Sequence, residues 1–318
     1  MSIATMTPST FVRASGARRF KNSLATVLVT ACFLVALIPL LWLLWTVVGK
    51  GWHVVAHGSW WTGTQRNIEA TDPGGGALNA IVGTLEQVAL CTLISVPVAV
   101  LVGVYLVEYG GGPLAKATTF MVDILTGIPS IVAALFIYAL FISTFHNIGA
   151  GWMVSLALVI LMLPVIVRTT EEMLKLVPNE LREASYALGV PKWKTIMKIV
   201  IPTAFSGLIT GVVLGVARVA GETAPLLILV GYAPSMNTNL FSGFQASLPT
   251  MINAEFINLN HATGAGSFHL DKNGNRVLGA AQNFAPDRMW GTALTLILIV
   301  LLLNLIARFV GRFNKVAK

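Results

Sequence analysis

Charged residues are scarce in this sequence. Only 11 % of its 318 residues are Asp, Glu, Lys or Arg, 55 % are hydrophobic, and the mean hydropathy is +0.77. A soluble domain carries roughly 25 % charged residues, so the scarcity excludes an ordinary soluble protein. The charge that is present is mainly basic, with 21 Lys and Arg against 13 Asp and Glu. Basic residues that border apolar runs report membrane orientation more often than nucleic-acid binding, and we therefore interpret the chain as a membrane protein.

Cysteines and catalytic motifs are also scarce. The two cysteines, Cys32 and Cys91, lie in apolar runs, and no disulfide framework or zinc spacing can be built from them. The sequence contains no GxxxxGK[ST] phosphate loop, no HExxH pair, no paired intramembrane Asp and no evident Ser/Lys dyad. A membrane enzyme is therefore disfavoured. We expect this chain to carry no catalytic residue, metal or cofactor of its own, and not to hydrolyse ATP itself.

Six apolar runs are long enough to be membrane spans, since about 20 residues cross a bilayer at roughly 1.5 Å per residue. They predict an all-α polytopic membrane protein with six transmembrane helices, near 24–48, 81–107, 118–145, 153–167, 205–230 and 289–309. The first run follows a polar tail, 1–23, and is about twice as long as the apolar core of a signal peptide. We expect it to remain in the mature protein.

The distribution of basic residues predicts the orientation. With the N-terminus in the cytoplasm, 15 of the 21 Lys and Arg residues lie on the inner side, as the positive-inside tendency requires. Both ends, including the tail 311–318, are then cytoplasmic. The loop 49–78 and the long loop after the fifth span lie outside. Within that long loop, Asn273-Gly274 is typical of a hairpin turn, and we favour this interpretation over a calcium loop because Arg276 stands where that loop needs Gly.

One polar island, 178–202, interrupts the apolar sequence and predicts two short helices. In the first, Leu181, Ala184, Ser185 and Leu188 recur at i, i+3, i+4 and i+7, which places them on one narrow face. Gly189 ends that helix, and Pro202 is expected to end the second. A hairpin that only packs on its own protein is the alternative to a docking surface.

Four ionisable residues fall inside the apolar runs, where each costs free energy unless it meets a partner or a cavity. Glu86 and Asp123 lie near span ends, within reach of water. Arg218 and Glu222 lie deeper and are spaced i, i+4, which predicts one helix face on which they can pair. Either they form a structural ion pair, or Arg218 offers a fork of donors to an oxyanion and Glu222 accepts the proton of hydrogen phosphate.

Four segments together resemble the permease subunits of phosphate-uptake ATP-binding-cassette (ABC) importers, and within them the PstA-type subunit. They are GIPSIVAALF (127–136), LPVIVRTTEEMLKLVP (163–178), the island with Glu183-Ala184 and Gly189 at the spacing of the EAA loop, and ARVAGETAPLL (217–227). The resemblance implies an ABC type I importer permease fold over 79–310. It also implies that the island, 178–202, is a cytoplasmic coupling element.

The resemblance further assigns roles to residues and implies partners. The residues that it places against an ATPase are Leu181, Glu183, Ala184, Ser185, Leu188 and Gly189, and those of the translocation path are Arg218, Glu222 and, less strongly, Arg168. The implied partners are a PstC-type second permease, two ATPase subunits that bind ATP and Mg, an extracytoplasmic phosphate-binding protein, and the lipid bilayer of a bacterial inner membrane. The alternatives are a permease for another oxyanion, such as sulfate or molybdate, and a membrane component that senses phosphate.

Overall fold

The structure is a computed structural model that describes residues 16–261, 268–270, 276–278 and 283–313. The chain forms two units, 1–49 and 50–318. The described part of the first unit is helical and leaves large apolar side chains exposed, among them Phe33, Leu41 and Trp45. Such a surface is expected of a helix that lipid surrounds, because lipid does not penalise exposed hydrocarbon.

The described residues are almost entirely helical. In chain order the helices are α1 Gly16–Val55, α2 Gly58–Thr62, α3 Leu78–Val104, α4 Pro113–Gly127, α5 Ser130–Ile137, α6 Gly151–Lys175, α7 Asn179–Ala187, α8 Lys192–Thr195, α9 Ile201–Ala220, α10 Ala224–Leu229, α11 Leu248–His261 and α12 Ala285–Phe313. Wider π-helical turns extend three of them, at Tyr105–Tyr109, Tyr138–Thr144 and Ile196–Val200. Two short strands, β1 Phe268–Leu270 and β2 Arg276–Leu278, pair antiparallel.

The core of the second unit lies around α6, which packs against both α3 and α9. Its buried residues include Val154, Leu158 and Met162, and they meet Cys91 and Val219 from the neighbouring helices. Close approach between α3 and α6 depends on Gly103, since a Cβ there would lie 2.5 Å from the Thr170 Cγ2 atom. The small residue therefore lets the two helices pack with their backbones near each other.

Five helical segments of the described residues are long and apolar enough to cross a membrane, and a bent pair, Pro113–Gly127 with Ser130–Thr144, makes a sixth if it counts as one span. The predicted all-α membrane fold is thus confirmed, and the predicted number of spans is reached only with this pair. The predicted span at 118–145 is not one continuous helix, because its two parts meet at 105°. Pro129 explains the break: the residue before it, Ile128, takes an extended backbone (ψ 124°) that a helix cannot contain.

Pro202 does not end a helix, contrary to the sequence-based expectation. The chain is helical from Lys192 to Ala220, and the predicted fifth span therefore begins earlier than 205. A proline inside a helix lacks an N–H and crowds the carbonyl four residues before it. The π-helical turn at Ile196–Val200 ends two residues before Pro202 and gives a wider hydrogen-bonded ring at this place.

A buried ion pair joins α11, α12 and the segment before α3. Arg288 donates from Nε to Glu255 Oε1 at 3.1 Å, and its terminal nitrogens donate to the backbone oxygens of Asp72 and Glu69. Both charged side chains are less than 5 % exposed. The sequence did not single out this pair. The predicted turn at Asn273-Gly274 lies outside the described residues, although the strands on either side of it pair with Leu270 opposite Arg276.

Candidate functional site

The end of α9 carries Arg218 in its last turn, and the helix stops at Ala220. Glu222 follows in a non-helical break before α10. Pro225 stands in the first turn of α10 and has no N–H with which to continue the α-helical ladder from Gly221. The chain instead closes tighter turns, in which Gly221 N donates to Arg218 O and Glu222 N donates to Val219 O.

This break overturns the predicted pairing of Arg218 with Glu222 on one helix face. Within the part of the chain that the structure describes, the Arg218 side chain forms no hydrogen bond or ion pair. It is exposed, whereas Glu222 is half-buried. The guanidinium donors of Arg218 thus have no partner among the described residues.

Two glycines fix which face of α9 is turned away from the core. A Cβ at Gly207 would lie 2.2 Å from Met173 Sδ, and one at Gly211 would lie 2.5 Å from Thr169 Cγ2. Both positions therefore favour the absence of a side chain where α9 crosses α6. Arg218 follows Gly211 by seven residues, about two helical turns, so it projects from nearly the same side of α9 as the two glycines, yet it is exposed at the end of the helix.

The exposed face of α9 forms a mixed polar stripe. Its exposed residues at successive helical turns are Thr203, Ser206, Thr210, Leu214 and Arg218. The hydroxyls of Thr203 and Thr210 donate to backbone oxygens four residues earlier, so their oxygens remain able to accept a hydrogen bond. Three residues of the stripe, Ser206, Thr210 and Leu214, line one wall of an open groove of about 970 Å³, and α12 forms the other wall with Asn304 and Arg308.

Arg168 has a different environment, although the sequence grouped it with Arg218. On α6, it donates to Asp123 of α4 and, at 2.7 Å, to Glu171 Oε2. Lys175 donates to the other Glu171 oxygen at 2.6 Å. These four side chains form one chain of alternating charges, so the guanidinium of Arg168 is already held by two carboxylates. The described contacts do not bring Arg168 and Arg218 together.

The island that the sequence singled out forms a hairpin of α7 and α8, which we call the α7–α8 hairpin (179–195). Gly189 adopts a positive φ of 75° after α7, as the predicted left-handed turn requires. The amides of Leu188 and Gly189 donate to the oxygens of Ala184 and Tyr186. The turn thus satisfies backbone groups that the helix end would leave unpaired.

The hairpin separates the residues that the sequence placed on one face. Leu181, Glu183, Ala184 and Leu188 are exposed, and Leu188 is 83 % exposed. Ser185, by contrast, is 3 % exposed and bonds Thr195 of α8 at 2.8 Å through their hydroxyls. Its expected place on the exposed face is therefore wrong: Ser185 joins the two arms of the hairpin.

Sequence reasoning missed two polar contacts of α3. Glu86 accepts from Gln245, which also accepts from Gln87 at 2.9 Å. At the other end of the helix, Glu108 accepts from Arg182 of the hairpin. Neither contact can be recognised from a local sequence pattern, because its partners are separated by 74 or more residues in the chain. Among the described residues, His, Cys, Asp and Glu form no group of three that would suit a metal ion.

Comparison with known proteins identifies relatives that match this chain over nearly its full length. Residues 95–314 match the family described as binding-protein-dependent transport system inner membrane component. The phosphate transport system permease protein PstA 1 of Mycobacterium tuberculosis (strain CDC 1551 / Oshkosh) is 49 % identical over 293 residues, which cover 92 % of this chain and 89 % of that protein. The phosphate transport system permease protein PstA of Yersinia pestis is 38 % identical over 294 residues, which cover 92 % of this chain and 90 % of that protein.

Among solved structures, a chain of a bacterial alginate ABC transporter in complex with an alginate pentasaccharide-bound periplasmic protein superposes with a TM-score of 0.62. It is 13 % identical, and the match covers 94 % of this chain and 97 % of that chain. At this identity the likeness shows the fold alone. It confirms the predicted ABC importer permease fold.

Proposed function

This chain belongs to the family of inner membrane components of binding-protein-dependent transport systems, and from that premise we propose that it is the permease subunit that carries inorganic phosphate in an ATP-driven importer. The names of the two curated relatives support phosphate as the cargo. The sequence contains no phosphate loop for ATP, which agrees with a subunit that moves substrate while another subunit hydrolyses ATP.

The observation that carries the choice of an anion is the guanidinium of Arg218, which forms no hydrogen bond or ion pair with the residues that the structure describes. A planar guanidinium matches a tetrahedral oxyanion with two parallel hydrogen bonds. Arg218 is exposed at the end of the polar stripe on α9, so an anion that moves along this face meets it. Arg168 is a weaker candidate for the path, because its donors are already shared between Asp123 and Glu171.

Glu222 provides a reason for selectivity. Hydrogen phosphate carries a proton at neutral pH and can donate a hydrogen bond to a carboxylate, whereas sulfate has no proton with which to do so. Glu222 follows Arg218 by four residues and is half-buried in the break before α10. In our proposal Glu222 accepts this hydrogen bond, without taking the proton, while Arg218 holds the charge. An ionised carboxylate near the path also repels an anion that brings no proton.

The exposed face of the α7–α8 hairpin is the proposed docking site for the ATPase. Leu181 and Leu188 are apolar anchors about two turns apart, and the small side chain of Ala184 between them permits a close approach. Short helices commonly dock with such anchors in a groove of the partner. Glu183 and Gly189 complete the set: the first is an exposed charge beside the anchors, and the second sets the turn.

The same proposal implies the other subunits of the transporter. This chain pairs with a PstC-type second permease, two ATPase subunits bind ATP and Mg below them, and an extracytoplasmic phosphate-binding protein delivers the substrate. The excess of basic residues supports a cytoplasmic location for both termini and the α7–α8 hairpin. ATP binding moves the hairpin with the ATPase, and the spans alternate between openings to the two sides of the membrane.

The test is uptake of radiolabelled phosphate by cells that lack this gene and are complemented with it. Micromolar phosphate is supplied with an excess of sulfate, and in a second series with an excess of molybdate. We expect complementation to restore uptake, and neither competitor to reduce it. Competition by sulfate or molybdate would reassign the cargo to that oxyanion. Absent uptake, with this chain and its partners shown in the membrane, would refute the transport of phosphate.

A further inference from the structure

The end of α3 is attached to the α7–α8 hairpin through one carboxylate. Glu108 lies in the π-helical turn Tyr105–Tyr109 that extends α3. Its Oε1 atom accepts from Arg182 Nε at 3.1 Å and from a terminal nitrogen of Arg182 at 3.0 Å. The side chains of Glu108 and Arg182 are only 5 % and 12 % exposed. Solvent therefore screens this pair less than an ion pair on the open surface.

Arg182 also fixes the end of α6. Its terminal nitrogens donate to the backbone oxygens of Val177, at 2.6 Å, and Leu174, at 3.0 Å. These oxygens belong to the C-terminal turn of α6 and the link that follows it, where carbonyls lack partners within the helix. One guanidinium thus joins the end of α3, the end of α6 and the first arm of the hairpin.

The second arm of the hairpin reaches the same segment. The Lys192 ammonium, at the start of α8, donates to the backbone oxygen of Glu108. It also lies 4.5 Å from the centre of the Tyr109 ring, in the geometry of a cation–π contact. Both arms of the hairpin therefore hold the turn Tyr105–Tyr109. The opposite side of α7, with Leu181 and Leu188, is left exposed.

From this geometry we propose that Glu108 is a positioning residue that transmits movement of the α7–α8 hairpin to α3. The inference rests on the proposed function, since it gives the hairpin the ATPase as its partner. If the hairpin moves while the turn stays, Glu108 and Arg182 separate, and a largely buried charge is left without its counter-charge, which is strongly unfavourable. Moving both together avoids this cost. A π-helical turn also marks functional places in helices and interrupts the regular ladder, which lets the end of α3 follow the hairpin.

The experiment uses the complete transporter in proteoliposomes: this chain, the second permease, the ATPase and the binding protein. Glu108→Gln and Arg182→Gln are compared with the wild type and with Glu180→Gln, which removes an exposed carboxylate from the same helix α7. Three quantities are measured: co-purification of the ATPase, stimulation of ATP hydrolysis by the loaded binding protein, and phosphate transported per ATP. A fourth variant, Leu188→Asp, alters the exposed face of the hairpin.

We expect Glu108→Gln and Arg182→Gln to retain the ATPase and basal hydrolysis. Stimulation by the binding protein and phosphate moved per ATP should each fall by about tenfold or more, because the buried pair no longer links the hairpin to α3. Glu180→Gln should behave as the wild type. Leu188→Asp should differ by losing the ATPase itself. Should Glu108→Gln not reach the membrane, Glu108→Asp keeps the charge on a shorter side chain and should show a smaller loss of the same kind.

The proposal would be overturned if Glu108→Gln and Arg182→Gln showed the stimulation and the phosphate moved per ATP of the wild type. It would also be overturned if these variants lost the ATPase, because the pair would then only stabilise the structure of the hairpin. Failure of the proposed function is recognised separately. If wild-type proteoliposomes do not transport phosphate, the cargo is wrong, yet the stimulation of ATP hydrolysis still tests the role of Glu108 without reference to the cargo.

Discussion

Three arginines of this chain show how the surroundings of a side chain decide what it can do. Arg168 is held by Asp123 and Glu171, and Arg182 by Glu108 and backbone oxygens. Arg218 alone among these three forms no such contact within the described residues. A guanidinium that is already paired gains little from an incoming anion, because it must first give up its partners. Arg218 can bind an anion without first giving up a partner among the described residues, which favours it for the translocation path.

Substitution of Arg218 tests this difference between the arginines. We expect Arg218→Gln to reduce phosphate uptake by about tenfold or more, since an amide cannot supply a charge-assisted pair of hydrogen bonds. Arg218→Lys should retain part of the activity, because it keeps the charge and loses the planar fork. Uptake is measured at equal amounts of membrane-inserted protein.

The control is Arg66→Gln, which removes an exposed arginine from the segment between α2 and α3 and should leave uptake near the wild-type rate. Near-normal uptake by Arg218→Gln would show that this arginine does not contact the anion. A loss of membrane-inserted protein in Arg218→Gln would instead indicate a structural contact with another subunit.

At the residue scale, the sequence singled out Arg218 and mistook its partner. Arg218 was recognisable because an ionisable residue in an apolar run is costly without a function. The expected pairing with Glu222 assumed a continuous helix, and Pro225 prevents it. Arg182 was within the polar island, but its partner Glu108 is 74 residues away. No local pattern reports such a pair, because it arises only when α3 and the hairpin meet.

The contact between α6 and α9 determines the direction in which the polar stripe of α9 faces. Gly207 and Gly211 allow the two helices to approach closely, and this contact fixes the rotation of α9 about its axis. The faces of an α-helix are rigidly related, so a change at the contact would also turn the exposed stripe. The position of Arg218 thus depends on residues that never touch the substrate.

We predict that Gly211→Leu destabilises the protein, because its Cβ alone would stand 2.5 Å from Thr169 Cγ2. Overpacking of this kind typically costs about 1–3 kcal/mol. The matched control is Gly49→Leu, a helical glycine of α1 whose added Cβ meets nothing within 4 Å. The thermal unfolding temperature of the detergent-solubilised protein should fall for Gly211→Leu and remain unchanged for Gly49→Leu. Equal unfolding temperatures would mean that α9 does not depend on this contact.

The existence of the helices was predictable at the element scale, and their ends and bends were not. Apolar runs reveal spans because the bilayer imposes their length and composition. Composition does not show where polar residues prolong a helix, and α1 accordingly includes Gly16 although its apolar run begins at Leu24. Composition also does not show what a proline does to a helix. Pro129 stands at a break where the chain bends by 105°, whereas a π-helical turn accommodates Pro202 within a continuous helix.

For the whole molecule, the distribution of charge is a stronger guide to orientation than any single contact. Basic residues cluster in the α7–α8 hairpin and around its flanks, at Lys175, Arg182, Lys192, Lys194 and Lys198. The segment after α10 begins with uncharged residues, GYAPSMNTNLFSG (231–243). A single candidate membrane span, which ends at Ala220, and the short helix α10 lie between these two regions. If the hairpin faces the cytoplasm, as an ATPase partner requires, the segment that follows α10 faces outward.

Labelling of two engineered cysteines tests this orientation. Glu180→Cys and Ser242→Cys each place a thiol at an exposed position, and Cys32→Ser with Cys91→Ala removes the natural thiols beforehand. A membrane-impermeant maleimide applied to intact spheroplasts should label Ser242→Cys at once and Glu180→Cys only after permeabilisation. Restored phosphate uptake by each variant is the control for correct insertion. The reverse labelling pattern would place the α7–α8 hairpin outside the cell, where it would meet no ATPase, and the coupling role of Glu108 would fail with it.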